Sequence, residues 1–162
     1  MPGVFSGLEN TAHFLIPMYG WLMKLGDGIP VYSRGTEGRE KMLKEAFLDR
    51  ASRKISILTF PEGHRTEDGQ VRPYRRGAFF MAREAGLPVV PICVRGCYNL
   101  LRKGTWIVRP SKIEIFVGAQ VETVGLSDQE INVLAERTTQ LTQNWLDGKE
   151  LESVMIRIEN AV

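Results

Sequence analysis

A short apolar segment followed by a Pro-Glu-Gly turn constrains the fold of this chain more than any other feature. Residues 54–60 read Lys-Ile-Ser-Ile-Leu-Thr-Phe, which is typical of a β-strand. Pro61 and Gly63 both disfavour a helix, so Glu62 is expected in a turn just beyond the carboxyl end of the strand, where open α/β sheets bind ligands. Arg65 follows three residues later. Two interpretations stay open here: a site for an anion such as phosphate, or a salt-bridged turn.

Strand and helix signals alternate along the chain. The predicted elements are strands at 29–32, 55–60, 89–94 and 113–117, helices at 37–50 and 77–85, a helix after the capping box Ser127-x-x-Glu130, and a last short helix at 151–158. Thr36 is expected to cap the first helix. The continuous apolar run of the third strand predicts cover on both faces, whereas the fourth strand alternates and should have one exposed face. This order predicts an α/β fold with a mixed central sheet layered with helices.

Length and composition predict one globular domain over residues 1–162. The chain is 43% apolar and 25% charged, which is ordinary for a globular protein. It shows no signal peptide, and its longest apolar run, residues 14–23, is too short to span a bilayer. Cys93 and Cys97 do not have a zinc or redox spacing, so we expect buried, reduced thiols. No other metal-ligand cluster is visible, and no metal is predicted.

The basic residues are concentrated in the middle of the chain. Residues 62–109 contain nine Lys or Arg and only four Asp or Glu. This excess indicates a site for an anionic substrate or contact with an anionic lipid surface. The alternatives are a solvated face or a nucleic-acid patch. No helical Lys/Arg stripe or known nucleic-acid module accompanies the charge, so no nucleic-acid partner is predicted.

Four sequence blocks resemble motifs of the glycerolipid acyltransferases, the family that includes 1-acylglycerol-3-phosphate acyltransferase. Residues 60–66, Phe-Pro-Glu-Gly-His-Arg-Thr, resemble the family's Phe-Pro-Glu-Gly-Thr-Arg-Ser motif. The other blocks occur in the family's order and are residues 28–34 (Gly-Ile-Pro-Val-Tyr-Ser-Arg), 74–79 (Tyr-Arg-Arg-Gly-Ala-Phe) and 87–92 (Leu-Pro-Val-Val-Pro-Ile). The resemblance implies a glycerol-3-phosphate acyltransferase-like fold. It also implies transfer of a fatty acyl group from acyl-coenzyme A or acyl carrier protein, as co-substrate, to a lysophosphatidate-like acceptor. No further cofactor is implied.

The resemblance also implies roles for individual residues. Arg34, Arg65 and Arg75 would hold the acceptor phosphate, and Arg75 stands where the family usually has Lys. Gly63 would let the backbone approach the substrate closely. Glu62 would support the site by fixing Arg65 or a backbone amide.

The family's catalytic His, followed after four residues by an Asp, has no counterpart in this sequence. The residue five positions after His13 is Met18, and only 27 residues precede Gly28, too few to hold the motif at the family's spacing. We therefore expect an acyltransferase domain without its N-terminal His-x4-Asp segment. The domain as given would then lack the family's general base. His64 is either an alternative base or a hydrogen-bonding or solvent-facing residue. A non-catalytic anionic-lipid-binding module and an acyltransferase for another lysolipid are the alternative functions.

The apolar residues near the N-terminus have two interpretations. Residues 14–25 include eight large apolar or aromatic side chains before Lys24. Packing in the core beneath the sheet is the first expectation for such a stripe. The alternative is a surface for the acyl chain or the membrane interface, where Trp and Tyr are favoured. The resemblance implies peripheral contact with the cytoplasmic face of a membrane.

Overall fold

Three short parallel strands form the first sheet of the protein. The computed structural model describes residues 5–33 and 35–149. Its first sheet contains β1 (Phe5–Asn10), β2 (Ile29–Val31) and β3 (Ser56–Leu58), in the spatial order β2-β1-β3. The first half of β1 pairs with β3 and the second half pairs with β2, both in parallel. The carboxyl ends of all three strands therefore lie at the same edge of the sheet.

Helical segments connect these strands, as parallel pairing requires. A 3₁₀ helix (Thr11–Leu15) and α1 (Tyr19–Leu25) lead from β1 to β2, and α2 (Arg39–Ser52) leads from β2 to β3. Phe47 of α2 and Ile29 of β2 are buried, and α2 contacts both flanking strands. The helix thus covers one face of the small sheet.

The second half of the described chain is built around a long helix. Its elements are α3 (Gly77–Glu84), β4 (Ile92–Arg95), α4 (Cys97–Leu100), β5 (Glu114–Val117) and α5 (Asp128–Leu146). Strands β4 and β5 pair in antiparallel, with Ile92 opposite Val117. The largest buried cluster joins α3 to α5 and consists of Phe79, Val121, Ile131, Leu134, Ala135 and Leu141. Leu134 is fully buried, as expected for the apolar stripe of an amphipathic helix.

Most of the predicted elements are confirmed, with bounds that differ by up to three residues. The α/β class is confirmed, and its parallel and antiparallel strands form separate hydrogen-bonded groups in the described part of the chain. The capping box is also confirmed, because Ser127 Oγ accepts from the Glu130 amide and Glu130 Oε2 accepts from the Ser127 amide. The predicted Thr36 cap is wrong. Helix α2 begins at Arg39, after Gly38 in the left-handed conformation, and has no side-chain cap.

The prediction that the third strand is covered on both faces is wrong. Strand β4 begins only at Ile92, and Ile92 and Val94 are exposed, whereas Cys93 is buried against Thr142 of α5. Helix α5 packs on one face of the strand, which explains this difference. Burial raises the pKa of the Cys93 thiol, as predicted for an inert buried cysteine. Cys97 is free but exposed, contrary to the prediction.

The apolar N-terminal residues do not pack in the core. Leu15, Trp21 and Leu25 are largely exposed, so the first expectation for this run is wrong. Strand β1 had no predicted counterpart, because Ser6, Glu9 and Asn10 interrupt its apolar pattern. The predicted helix at 151–158 lies outside the described residues. Within residues 5–33 and 35–149, no helix has the length and apolar character needed to cross a membrane.

Candidate functional site

The Pro-Glu-Gly turn lies immediately beyond β3, at the carboxyl edge of the parallel sheet. The Gly63 amide donates to the Phe60 carbonyl at 3.0 Å and closes the turn. The Arg75 amide donates to the Pro61 carbonyl at 2.9 Å, which brings the chain back to the same turn. Residues 61–75 therefore form a closed loop, here called the motif loop.

Gly63 and Arg75 meet across the base of the motif loop. Gly63 has a φ of 77°, a left-handed conformation that side chains other than glycine disfavour. A Cβ atom added to Gly63 would overlap the guanidinium carbon of Arg75 and lie 2.6 Å from its Nη1 and 2.7 Å from its Nε. The backbone conformation thus favours glycine here, and a side chain at this position would displace the Arg75 guanidinium.

Glu62 holds the motif loop through a backbone amide. Its Oε2 accepts a hydrogen bond from the Arg72 amide at 3.3 Å. In the described part of the chain, Glu62 makes no ion pair with Arg65. Of the two supporting roles expected for Glu62, the structure shows contact with a backbone amide.

Arg65 lies beside a small polar pocket. The pocket has a volume of about 140 Å³ and is lined by His64, Arg65, Thr66, Glu67 and Arg72. Sites that enclose a drug-sized ligand are typically several hundred Å³. The pocket is therefore of a size for a charged headgroup rather than for an acyl chain.

Other cations of the region are engaged by carboxylates. Arg72 pairs with Asp68 at 2.7 Å, and Lys103 pairs with Glu67. The Lys103 ammonium lowers the pKa of Glu67, and hydrogen bonding from the Gln70 amide lowers the pKa of Asp68. Both carboxylates are thus held in the charged form, and each is paired with a cation of the protein.

Arg65 and Arg75 have no such partners. Both residues are exposed, and among the described residues neither side chain forms a hydrogen bond or an ion pair. The salt-bridged turn that the sequence left open does exist, but its ion pairs use Arg72 and Lys103. Arg65 and Arg75 are left available for an external anion.

The motif loop contains functional contacts that the sequence analysis missed. Thr66 Oγ1 donates to Asp68 Oδ1 at 3.0 Å and accepts from the Gly69 amide at 2.9 Å. The Thr-x-Asp-Gly order and the Asp68–Arg72 spacing were signals for this ordered turn. Lys103 had no comparable signal, because it lies far from Glu67 in sequence.

The two histidines have different surroundings. His64 is exposed, and its Nδ1 lies 3.0 Å from the carbonyl oxygen of Glu62. Since a carbonyl oxygen only accepts, Nδ1 carries the proton and Nε2 of the neutral ring is free to accept one. His13 Nδ1 contacts Glu9 Oε2 at 2.7 Å, so its carboxylate partner lies four positions earlier in the sequence and is not part of a His-x4-Asp pair.

The remaining predicted site residue, Arg34, lies outside the described residues. Its strand, β2, ends at Val31 on the same sheet edge as β3. The structure therefore places Glu62, Gly63, Arg65 and Arg75 on the motif loop, with Arg75 against Gly63 and Arg65 at the pocket, and does not describe Arg34. Within the described ranges, no group of three or more His, Cys, Asp or Glu residues is placed to hold a metal ion.

A parallel sheet covered by helices, with a cationic loop at its carboxyl edge, defines the class of this protein as an α/β domain. The family model described as Acyltransferase matches residues 5–95, and the chain belongs to this family. The predicted resemblance to acyltransferases is thereby confirmed.

Several curated relatives have sequence similarity to this chain. A 1-acyl-sn-glycerol-3-phosphate acyltransferase of Limnanthes douglasii is 32% identical over 109 residues, which is 67% of this chain and 39% of the relative. A chloroplastic enzyme of the same name from Brassica napus is 32% identical over 101 residues, 62% of this chain and 29% of the relative. The chain thus spans 29% and 39% of the lengths of these two relatives.

A solved structure shows the same fold. The 1-acyl-sn-glycerophosphate (LPA) acyltransferase PlsC of Thermotoga maritima superposes with a TM-score of 0.72 and 22% sequence identity. The match covers 92% of this chain and 59% of that chain. The predicted glycerol-3-phosphate acyltransferase-like architecture is therefore confirmed.

Proposed function

We propose that this chain forms the acceptor-binding part of an enzyme that acylates 1-acylglycerol-3-phosphate to phosphatidic acid. The observation that carries the proposal is the pair Arg65 and Arg75, exposed and without internal partners at the carboxyl edge of the sheet. A guanidinium binds phosphate with two parallel hydrogen bonds. The names of the curated relatives support this acceptor.

Each site residue has a defined task in this proposal. Arg65 and Arg75 hold the acceptor phosphate together with Arg34. Gly63 leaves the space that the Arg75 guanidinium occupies, and Glu62 fixes the loop through the Arg72 amide. The small polar pocket receives the headgroup, and the acyl chain remains outside it.

The reaction transfers the acyl group in a direct displacement. The acceptor hydroxyl loses its proton to a base, and its oxygen forms a bond to the thioester carbonyl carbon. The carbon–sulfur bond then breaks, and the thiolate of coenzyme A or acyl carrier protein leaves and takes up a proton. The thioester is a co-substrate, and the chemistry requires no covalent enzyme intermediate, metal or further cofactor.

The general base of this reaction is not supplied by a His-x4-Asp pair within the 162 residues. The sequence contains only two histidines, His13 and His64, and neither is followed five positions later by Asp. A positioned base contributes about 10²–10⁴-fold to such proton transfers. Without such a base, the 162 residues alone are expected to bind phosphate and to turn over slowly.

The acceptor is a membrane lipid, so we also propose peripheral contact with the cytoplasmic face of a membrane. The excess of basic residues between positions 62 and 109 supports contact with anionic lipid. In this arrangement, the acceptor lipid enters the site directly from the bilayer.

An acyl-transfer assay with acyl-coenzyme A and lysophosphatidate tests the proposed function. The 162-residue chain is compared with a version extended at its N-terminus by the sequence encoded upstream. We expect turnover by the extended version to be faster by about 10²–10⁴-fold. Acceptors with other headgroups, run in parallel, measure the preference for phosphate.

Three outcomes would contradict the proposal. Substantial turnover by the 162-residue chain that is abolished by His64→Ala would make His64 the base. Lipid binding by the extended version without turnover would identify a non-catalytic anionic-lipid module. Faster turnover of a lysolipid without a terminal phosphate would replace the proposed acceptor.

A further inference from the structure

A surface loop displays three consecutive apolar side chains. The loop comprises residues 101–109 and is here called the Trp106 loop. Trp106 is 98% exposed, and the next two residues, Ile107 and Val108, are 64% and 65% exposed. Isolated exposed apolar residues are ordinary, but a contiguous apolar tip with a fully exposed Trp indicates an interaction surface.

The Trp106 loop is fastened at its base. The Arg109 amide donates to the Leu100 carbonyl at 2.9 Å, and Ser111 Oγ donates to the Gly96 carbonyl at 3.1 Å. Near the tip, the Ile107 amide donates to Thr105 Oγ1 at 2.9 Å. The apolar residues are therefore presented by a loop with a closed base.

The charge around the apolar tip has one sign. Residues 101–112 contain four basic residues and no acidic residue. The Arg102 guanidinium lies 5.1 Å from the centre of the Tyr98 ring. Arg109 has no hydrogen-bond or ion-pair partner for its side chain in the part of the chain that the structure describes. An apolar tip between cations is complementary to an anionic bilayer, whose headgroups are negative and whose interior is apolar.

The Trp106 loop is attached to the motif loop. Lys103 pairs with Glu67, which lines the polar pocket, and Tyr98 Oη donates to the Glu67 carbonyl at 3.1 Å. A Cβ atom at Gly69 would lie 3.4 Å from the Tyr98 ring, so the two segments are also in close contact there. Whatever binds the apolar tip is consequently held beside the pocket.

We propose that Trp106, Ile107 and Val108 insert into the interface of an anionic phospholipid bilayer. Trp is favoured at the interface between headgroups and acyl chains because its ring is apolar and its N–H reaches water or headgroups. Arg102 and Arg109 then contact the anionic headgroups. This inference rests on the proposed function: insertion places the phosphate pocket at the surface that holds the lysolipid.

Vesicle flotation of the 162-residue chain tests the proposal. Vesicles contain equimolar phosphatidylcholine and phosphatidylglycerol, or phosphatidylcholine alone, with no acyl donor and no lysophosphatidate. Trp106→Ala should lower partitioning to the anionic vesicles by about tenfold or more, the expected effect of removing one large buried apolar group. Arg109→Ala should weaken binding to anionic vesicles and leave the weaker binding to neutral vesicles unchanged.

Trp21→Ala provides the matched control. Trp21 is also exposed but belongs to α1, outside the Trp106 loop. Its removal should lower vesicle binding by less than Trp106→Ala does, and thermal melts should show that both Trp variants remain folded. Unchanged binding by Trp106→Ala, or equal losses for the two variants, would overturn the assignment.

Two further measurements distinguish membrane insertion of the Trp106 loop from the proposed phosphate site and from binding of a protein partner. Arg65→Ala should abolish the phosphate preference in lysophosphatidate binding and retain vesicle binding, so the pocket and the Trp106 loop can fail independently. Acyl carrier protein, the alternative thioester donor, is the protein partner to test against the same loop. Reduced affinity of Trp106→Ala for acyl carrier protein, with unchanged vesicle binding, would assign the loop to a protein partner and contradict the membrane proposal.

Discussion

Two pairs of arginines in this protein have opposite surroundings. Arg50, on α2, contacts Asp27 and Asp49 at 2.8 Å each, and Arg53 contacts the same two carboxylates at 2.7 and 3.1 Å. Near β3, Arg65 and Arg75 have no carboxylate at bonding distance in the described structure. The first pair connects α2 to the turn before β2, whereas the second pair is available to solvent.

The comparison shows how similar side chains are used for structure and for binding. The Arg50 side chain is only 14% exposed, so its charge requires the Asp27 and Asp49 carboxylates. An exposed arginine without a partner contributes little to folding. Arg65 and Arg75 should therefore affect ligand binding, and Arg50 and its partners should affect stability.

The largest expected effect is on ligand binding. Combined Arg65→Ala and Arg75→Ala substitution should weaken lysophosphatidate binding by about 3–6 kcal/mol, since each removes charge-assisted hydrogen bonds worth about 1.5–3 kcal/mol. Calorimetric titration measures the affinity, and denaturant unfolding measures the stability, which should be unchanged. A matching loss of stability would place these arginines in the structural group.

Removal of one carboxylate should affect only stability. Asp27 has a φ of 58°, a conformation that Asn tolerates, so Asp27→Asn removes the charge with little backbone strain. We expect a loss of about 1–3 kcal/mol in unfolding free energy, less than for a fully buried pair because Asp27 is partly exposed. Lysophosphatidate affinity should not change. Weaker lysophosphatidate binding by this folded variant would contradict the assignment of Arg50 and Arg53 to stability alone.

A glycine comparison separates backbone strain from the position of Arg75. Gly63 and Gly38 have nearly equal φ values, 77° and 73°, but a Cβ atom at Gly38 has no neighbour within 4 Å. Replacement by Ala should cost about 1–2 kcal/mol of stability at either position. Only Gly63→Ala should also weaken phosphate binding, by about tenfold, because it displaces the Arg75 guanidinium. Equal binding by the two variants would show that the Gly63–Arg75 contact is not used.

The smallest expected effect is a change in acid stability. Hydrogen bonding from Arg53, with a further contribution from Arg50, lowers the pKa of Asp49 in the folded protein. The resulting stability is present above the unfolded-state pKa of about 3.9 and is lost as the pH falls through the lower folded-state value. Asp49→Asn should therefore flatten the fall in melting temperature below about pH 4. If the melting temperature of Asp49→Asn falls with pH as steeply as that of the wild type, the Asp49 carboxylate does not stabilise the fold.

The sequence predicted the position of the motif turn better than it predicted which side chains are exposed. Glu62 and Gly63 could be placed because proline, glycine and a strand end impose a local turn, whereas Arg75 was placed only by the resemblance of residues 74–79 to a family motif. The absence of a partner for Arg65 could not be predicted, because pairing depends on which carboxylates the fold brings close. Lys103 forms an ion pair with Glu67, 36 positions away in the sequence, and no local sequence pattern predicts this contact.

Burial was the least predictable property of the fold. The runs at residues 14–25 and 89–94 are both apolar, a pattern that predicts a core position. In the described structure, Trp21 and Val94 are nonetheless exposed. Apolar periodicity identifies which side chains share a face, but the neighbouring elements decide whether that face is covered.

The central claim is that Arg65 binds the phosphate of the acceptor, and paired titrations of Arg65→Ala and Arg53→Ala test it most directly. Each variant is titrated with a lysophosphatidate analogue and with the corresponding monoacylglycerol, which lacks the phosphate. Arg65→Ala should lose about 2–3 kcal/mol of binding free energy for the phosphate-bearing ligand and almost none for the other. Arg53→Ala should change neither affinity. Equal losses for the two ligands with Arg65→Ala would contradict the account.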